Sequence, residues 1–253
     1  MTTLELSPGP GAGRRHRALV AQGRMELRLV LRNGEQLLLT IVIPVALLLL
    51  FAKAPVTDVP KPRVDFLMPG VLGLAVMSTA FTGQAIGTGF ERRYGVLRRL
   101  STTPLSRAGL LGAKTTAVLI VETLQAGVLC AIGAALGWSP SGNPAVVIGL
   151  LVLATACFST LGLLMAGTLR AEATLAGANL LYLVQLALGG VAFPLSDFST
   201  GVRHLLELLP LGALTAGLRA ELHGGGVPLH DWVTLAVWTG AGLFAATRWF
   251  RWD

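Results

Sequence analysis

The sequence predicts an all-α integral membrane protein whose chain crosses the bilayer six times, and three observations predict it. Of its 253 residues, 53% are hydrophobic and only 13% charged, about half the ~25% charge of an ordinary soluble domain. The charges also leave long gaps. None falls between Asp65 and Glu91, Glu122 and Arg170, Glu172 and Asp197, or Asp231 and Arg248, and about 20 apolar residues in helix cross a hydrocarbon core roughly 30 Å thick. Finally, the basic residues are segregated. Fifteen lie in segments that six spans place on one side and five on the other. Such an excess marks the cytoplasmic side, so both termini are expected in the cytoplasm of a multi-pass protein of the cell (plasma) membrane.

A formal net charge of +7 would suit a nucleic-acid partner. Here the charges form no groove or face but cluster between apolar runs, which reads as topology and excludes nucleic acid. Only three of the 20 basic residues are lysines, a bias of GC-rich bacterial genomes. Cys130 and Cys157 both sit inside apolar runs. They read as packing residues, with no disulfide framework and no metal site. His16, His204, His223 and His230 are scattered without metal-ligand spacing.

Residues 1–13 are a Pro/Gly-rich stretch without periodicity, expected to be a disordered cytoplasmic tail. Residues 14–253 form a single transmembrane domain. It begins with a helix over 14–34, where Arg17, Arg24, Arg28 and Arg32 make one stripe and Leu19, Val20, Leu27, Val30 and Leu31 another side. Such a basic amphipathic helix lies on the membrane lipids at the headgroup level. The first span, about 37–52, contains Pro44, a kink that neighbouring helices can accommodate. Ala52-Lys53-Ala54 has the form of a signal cleavage site. The leading segment is too long and too patterned for a signal peptide, so the span is read as retained.

The second span covers about 66–90 and is followed by a compact charged loop, residues 91–107. Thr102 or Thr103 can cap, and Pro104 can start, the third span, 108–136. Gly137–Pro144 is dense in turn formers, and the fourth and fifth spans follow at 144–169 and 173–193. Residues 208–218 are uncharged but too short to cross, and the sixth span is about 232–247. The tail Arg248-Trp249-Phe250-Arg251-Trp252 is an interfacial anchor. Within the spans, Glu122 is the one acidic residue near mid-bilayer, and Gln125 lies one turn away on the same face. A charge there is costly in lipid, so the pair is a candidate substrate path or a packing site. The segment Gly109–Thr116 falls short of a phosphate-binding loop, because no glycine directly precedes Lys114 and no strand presents it.

Phe66-Leu67-Met68-Pro69-Gly70, then Glu91-Arg92-Arg93-Tyr94-Gly95-Val96-Leu97-Arg98-Arg99-Leu100, Thr103-Pro104-Leu105-Ser106-Arg107 and Lys114 form one block. Gly190-Val191-Ala192-Phe193-Pro194-Leu195, Leu209-Pro210-Leu211 and Leu218-Arg219 form a second. Together they resemble the ABC-2 type transporter permease family, in its daunorubicin-resistance-like drug-export branch. Val96 replaces the commoner Thr, and Ser196–Val202 lacks a second proline often found there. The resemblance implies a six-helix permease subunit of an ATP-binding cassette exporter. It would act as a homodimer or paired permease on a lipophilic drug, antibiotic or lipid-like substrate. The chain itself would bind no cofactor and catalyse no reaction, with ATP-Mg held by a separate cytoplasmic ABC ATPase subunit. The resemblance further implies a short re-entrant outer segment before the last helix and an ATPase-coupling loop at Glu91, Arg92, Arg93, Gly95, Val96, Leu97 and Leu100. Val96, Leu97 and Leu100 would enter a groove of the ATPase. The competing reading is a proton-coupled secondary transporter using Glu122, which would call for internal repeats that the sequence does not display.

Overall fold

A computed structural model describes residues 15–32, 34–53, 62–100, 107–191, 193–195 and 198–250. The expected tail 1–13, the cap at Thr102 or Thr103 and the last three residues lie outside them. Among the described residues the fold is all-helical, without strands. The elements are α1 (Arg15–Arg32), α2 (Gly34–Lys53), α3 (Arg63–Val76), a π-helical turn (Met77–Gly83) and α4 (Gln84–Arg93). They continue with α5 (Val96–Leu100), α6 (Arg107–Ala135), α7 (Pro144–Thr168), α8 (Ala171–Leu188), α9 (Thr200–Glu207), α10 (Pro210–Leu222) and α11 (Leu229–Trp249).

Among the described residues, four helical stretches are long and apolar enough to cross a membrane: Arg63–Arg93, Gly109–Ala135, Pro144–Thr168 and Ala171–Leu188. Thr40–Lys53 is a shorter apolar helix. The continuous helix Arg63–Arg93 is the axis of the bundle and is mostly buried within it, whereas α8 is mostly exposed. It packs on α2, α6, α7, α8 and α10. Its 31 residues span about 46 Å at about 1.5 Å each, longer than the hydrocarbon core, so the charged end of α4 projects beyond it. The π turn presses its carbonyls on α7, where a Cβ on Gly162 would lie 2.8 Å from Phe81 O. Glycine there lets the widened turn seat.

Two sequence expectations are adjusted by local chemistry. Residues 91–107 do not begin as a loop: α4 runs through Arg93, and only Tyr94 and Gly95 turn before α5. The fifth helix stops at Leu188 rather than 193, because Gly189 and Gly190 follow and Gly190 has φ +73, a conformation that suits glycine. The freed carbonyls are taken up at once: Thr215 Oγ1 donates to Gly189 O at 2.7 Å and Arg219 Nη2 to Gly190 O at 2.8 Å. The Gly137–Pro144 segment turns as its composition predicts. Gly137 has φ +89, Asn143 Oδ1 accepts from Ala145 N at 3.0 Å, and Pro144 opens α7.

Tertiary contacts sort the connections into two ends. At one end α4, α5, the C-terminus of α7, the start of α8 and Phe250 meet. At the other, Ser141 N donates to Leu222 O at 3.1 Å and Asn143 N to Glu221 Oε1 at 2.7 Å. There α9 and α10, of 8 and 13 residues, are each too short to cross. α10 is an internal helix, with Leu211, Ala213, Leu214 and Leu218 fully buried between α3, α7 and α11.

Candidate functional site

α4 ends on three charged residues in a row, and the 100° step of a helix sends each to a different neighbour. Glu91 turns towards α6, where Lys114 Nζ donates to Glu91 Oε2 at 2.7 Å and to Glu26 Oε2 of α1 at 2.9 Å. Gln22 Nε2 completes the chain by donating to Glu26 Oε1 at 2.7 Å. Lys114 is 5% exposed and Glu26 6%. Burial at this level is tolerable only because each charge is paired and hydrogen-bonded. The cluster therefore ties α1, α4 and α6 together.

Arg92 turns the other way and donates to Ala166 O at 2.8 Å and Leu169 O at 2.7 Å. These are the orphan carbonyls at the end of α7, where a cation also meets the negative pole of the helix. Arg93 pairs with Glu172 in the first turn of α8. Both side chains are about half exposed, so that pair contributes little.

Gly95 makes the turn with φ +73, and α5 folds back on the bundle. Leu97 is fully buried with Leu110 and Phe250, and Leu100 packs beside them. The apolar contact expected between Leu97 and a partner is thus filled inside the chain. Val96 is half-buried and faces α1 across a cavity. What this end presents outward is Arg93, Arg98, Arg99 and Tyr94, the last 71% exposed.

Deeper in the bundle, Glu122 and Gln125 are both buried. Thr155 Oγ1 of α7 donates to Glu122 Oε2, while Glu122 Oε1 has no partner among the described residues. Gln125 accepts from Thr79 Oγ1 of the π turn at 3.0 Å and donates to Thr40 O of α2. Both side chains line an apolar cavity of about 140 Å³ between α3, α6 and α7. Thr79 lines a second cavity, about 440 Å³, between α1, α4 and α6. The Thr79–Gln125 bond therefore joins a wall residue of each cavity.

At the opposite end a wide cleft of about 700 Å³ opens between the start of α3 and α8–α10 connections. Arg219 lies in its wall, its guanidinium 4.1 Å from the centre of the Phe66 ring. Burial pushes that guanidinium down to about 10, which leaves it charged at neutral pH. It holds the start of α3 to the end of α8 through Phe66 and the Gly190 carbonyl.

Sequence reasoning passed over Glu26, Gln22, Thr79 and Thr155. A signal for Glu26 was present: at 100° per residue it stands about 200° from Arg24, among Leu19 and Val30 and not in the arginine stripe. An acidic residue on the bundle-facing side of an amphipathic helix calls for a buried cation. Thr79 and Thr155 carry no such signal, since threonines inside spans commonly bond their own backbone.

Among the described residues no group of His, Cys, Asp and Glu could hold a metal ion. No curated protein matches the chain. The model of the ABC-2 type transporter family matches residues 18–222, which takes in most of α1, the paired Glu26–Lys114–Glu91 cluster, the α4–α5 turn and α10. The family is a membrane component of transporters that carries no ATPase site of its own and pairs in general with an ABC ATPase subunit. With that match over most of its length, the chain belongs to the ABC-2 type transporter family and is a membrane-embedded permease.

Proposed function

We propose that this permease is the spanning subunit of an exporter that moves a lipophilic drug, antibiotic or lipid-like substrate out of a bacterial cell. Two copies, or one copy and a related permease, form the path, and ATP-Mg is hydrolysed on a separate cytoplasmic subunit. In this reading α2 and α11 complete six spans, α9 and α10 form a re-entrant outer segment, and both termini are cytoplasmic.

The observation that carries the proposal is the buried Glu26–Lys114–Glu91 link. It makes the interfacial helix α1, the α4–α5 turn and the spanning helix α6 one mechanical unit, with the exposed residues Tyr94, Arg98 and Arg99 at its surface. ATPase closure pushes on α5. The push passes through the Leu97–Leu110 contact and the lysine to α6, and along α6 to Gln125 and Glu122. Glu91, Arg92, Arg93, Gly95, Val96, Leu97 and Leu100 then act chiefly by holding the docking surface rigid against its own bundle.

Two experiments test this. Reversing the exposed charges, Arg98→Glu with Arg99→Glu, is expected to abolish co-purification of the partner ATPase and ATP-driven export while the permease still reaches the membrane. Retained ATPase binding would move the docking surface elsewhere. Glu122→Gln keeps the size of the side chain and an acceptor for Thr155, so the chain should fold as the parent does while export slows and loses its pH dependence. Export at the parental rate and pH profile would reduce Glu122 to packing.

A further inference from the structure

The cavity between α1, α4 and α6, about 440 Å³, has the volume of a small-molecule pocket. Leu29, Val118 and Val121 give it apolar walls. Its remaining wall is one face of α4, where Gln84, Gly87, Thr88 and Glu91 recur at the i, i+3, i+4, i+7 spacing of a single helix stripe. Gln84 is 8% exposed, and among the described residues neither atom of its amide has a hydrogen-bond partner; Thr88 is 1% exposed and its hydroxyl is likewise unpaired among them. Buried polar groups are nearly always paired, so two adjacent orphans on a cavity wall mark a place where an occupant's polar group is missing. Gly87, between them, has nothing within 4 Å of where a Cβ would stand.

Among the described residues that line this cavity the charge is unbalanced. Glu26 and Glu91 carry two negative charges against the one positive charge of Lys114. Both oxygens of Glu26 are engaged, by Gln22 and Lys114. Among the described residues Glu91 is engaged through Oε2 alone, and it is the more open of the two, with its side chain 23% exposed. A site that is apolar on one side, carries unpaired hydrogen-bonding groups on another and has one excess carboxylate charge suits a ligand with an apolar body and a single ammonium group.

We propose that this cavity binds an amine-bearing amphiphile, with its ammonium on Glu91, hydrogen bonds to Gln84 and Thr88, and its apolar body between α1 and α6. The assignment names the substrate class of the exporter proposed above and rests on that reading for the meaning of binding, though not for binding itself. Continuity with the inner path is built in, because Thr79 lines this cavity and bonds Gln125.

The test uses the full chain in phosphatidylcholine nanodiscs without ATP. Its probes are a dansyl-labelled diaminodecane with one free amine and the same molecule with that amine acetylated. The free amine is expected to bind saturably and about tenfold more tightly, the gain of one charge-assisted hydrogen bond. Glu91→Gln should erase the preference, and Gly87→Leu, which fills empty space, should erase saturable binding of both probes. Equal binding of the two probes by the parent overturns the proposal, as does unchanged amine binding by folded Gly87→Leu, which decides the matter if Glu91→Gln misfolds. Export is scored separately in proteoliposomes with the ATPase. Binding without ATP-driven export would sink the exporter reading and leave the site standing, and export without amine preference would do the reverse.

Discussion

Lys114→Met is expected to destabilise the permease by about 3–5 kcal/mol, the usual cost of removing one partner from a buried ion pair. The lysine is 5% exposed and serves two carboxylates at 2.7 and 2.9 Å. Methionine fills most of the same volume, so the loss is electrostatic rather than a cavity. Two acids then remain without a counter-charge, and Glu91, the more open of them, is partly relieved by water. α1 is held to α6 largely through this contact and the apolar residues beside it, so it should loosen. Faster tryptic cleavage at Arg24 and Arg28, with a lowered melting temperature in detergent, would report that loosening. Adding Glu26→Gln and Glu91→Gln to Lys114→Met removes the orphaned charges and should recover most of the stability. Coupled ATPase activity should stay low even then, since neutral amides hold α1 and α4 to α6 less firmly. A Lys114→Met chain that melts with the parent would show that the cluster does not bind α1 to the bundle.

Leu97→Asp is the second large effect. Leu97 is fully buried against Leu110 and Phe250. Truncation to alanine at such a site costs about 2–5 kcal/mol, and aspartate adds a buried charge with no partner. The expected outcome is release of α5 from the bundle, a lower melting temperature and loss of ATPase association together. Leu97→Met, which conserves volume, should cost under about 1.5 kcal/mol and keep both. If Leu97→Asp instead melts with the parent while ATPase binding is lost, Leu97 faces the partner and α5 does not pack as seen here. That outcome separates the internal role from a docking role, which the exposed Arg98 and Arg99 test from the other direction.

The sequence by itself determined where most helices form, though not every end: α4 runs on through Arg93 and α8 stops at Leu188. Charge-free gaps, the turn formers around Gly137 and the basic stripe of α1 are local properties, and the structure answers each with a helix or a turn nearby. The chain's own composition also carried the membrane character, and its motifs carried the resemblance to the permease family. What only the tertiary structure decided is which groups meet. Lys114 finds Glu26 across 88 residues, Arg92 finds the end of α7 across 77, and Gln125 finds Thr79 across 46. Hydropathy shows that Leu97 must be covered, but not whether its own bundle or a partner covers it, because burial depends on which helices are neighbours. For the same reason the face of α4 that bears Gln84, Thr88 and Glu91 became a site only when α1 was seen to close over it.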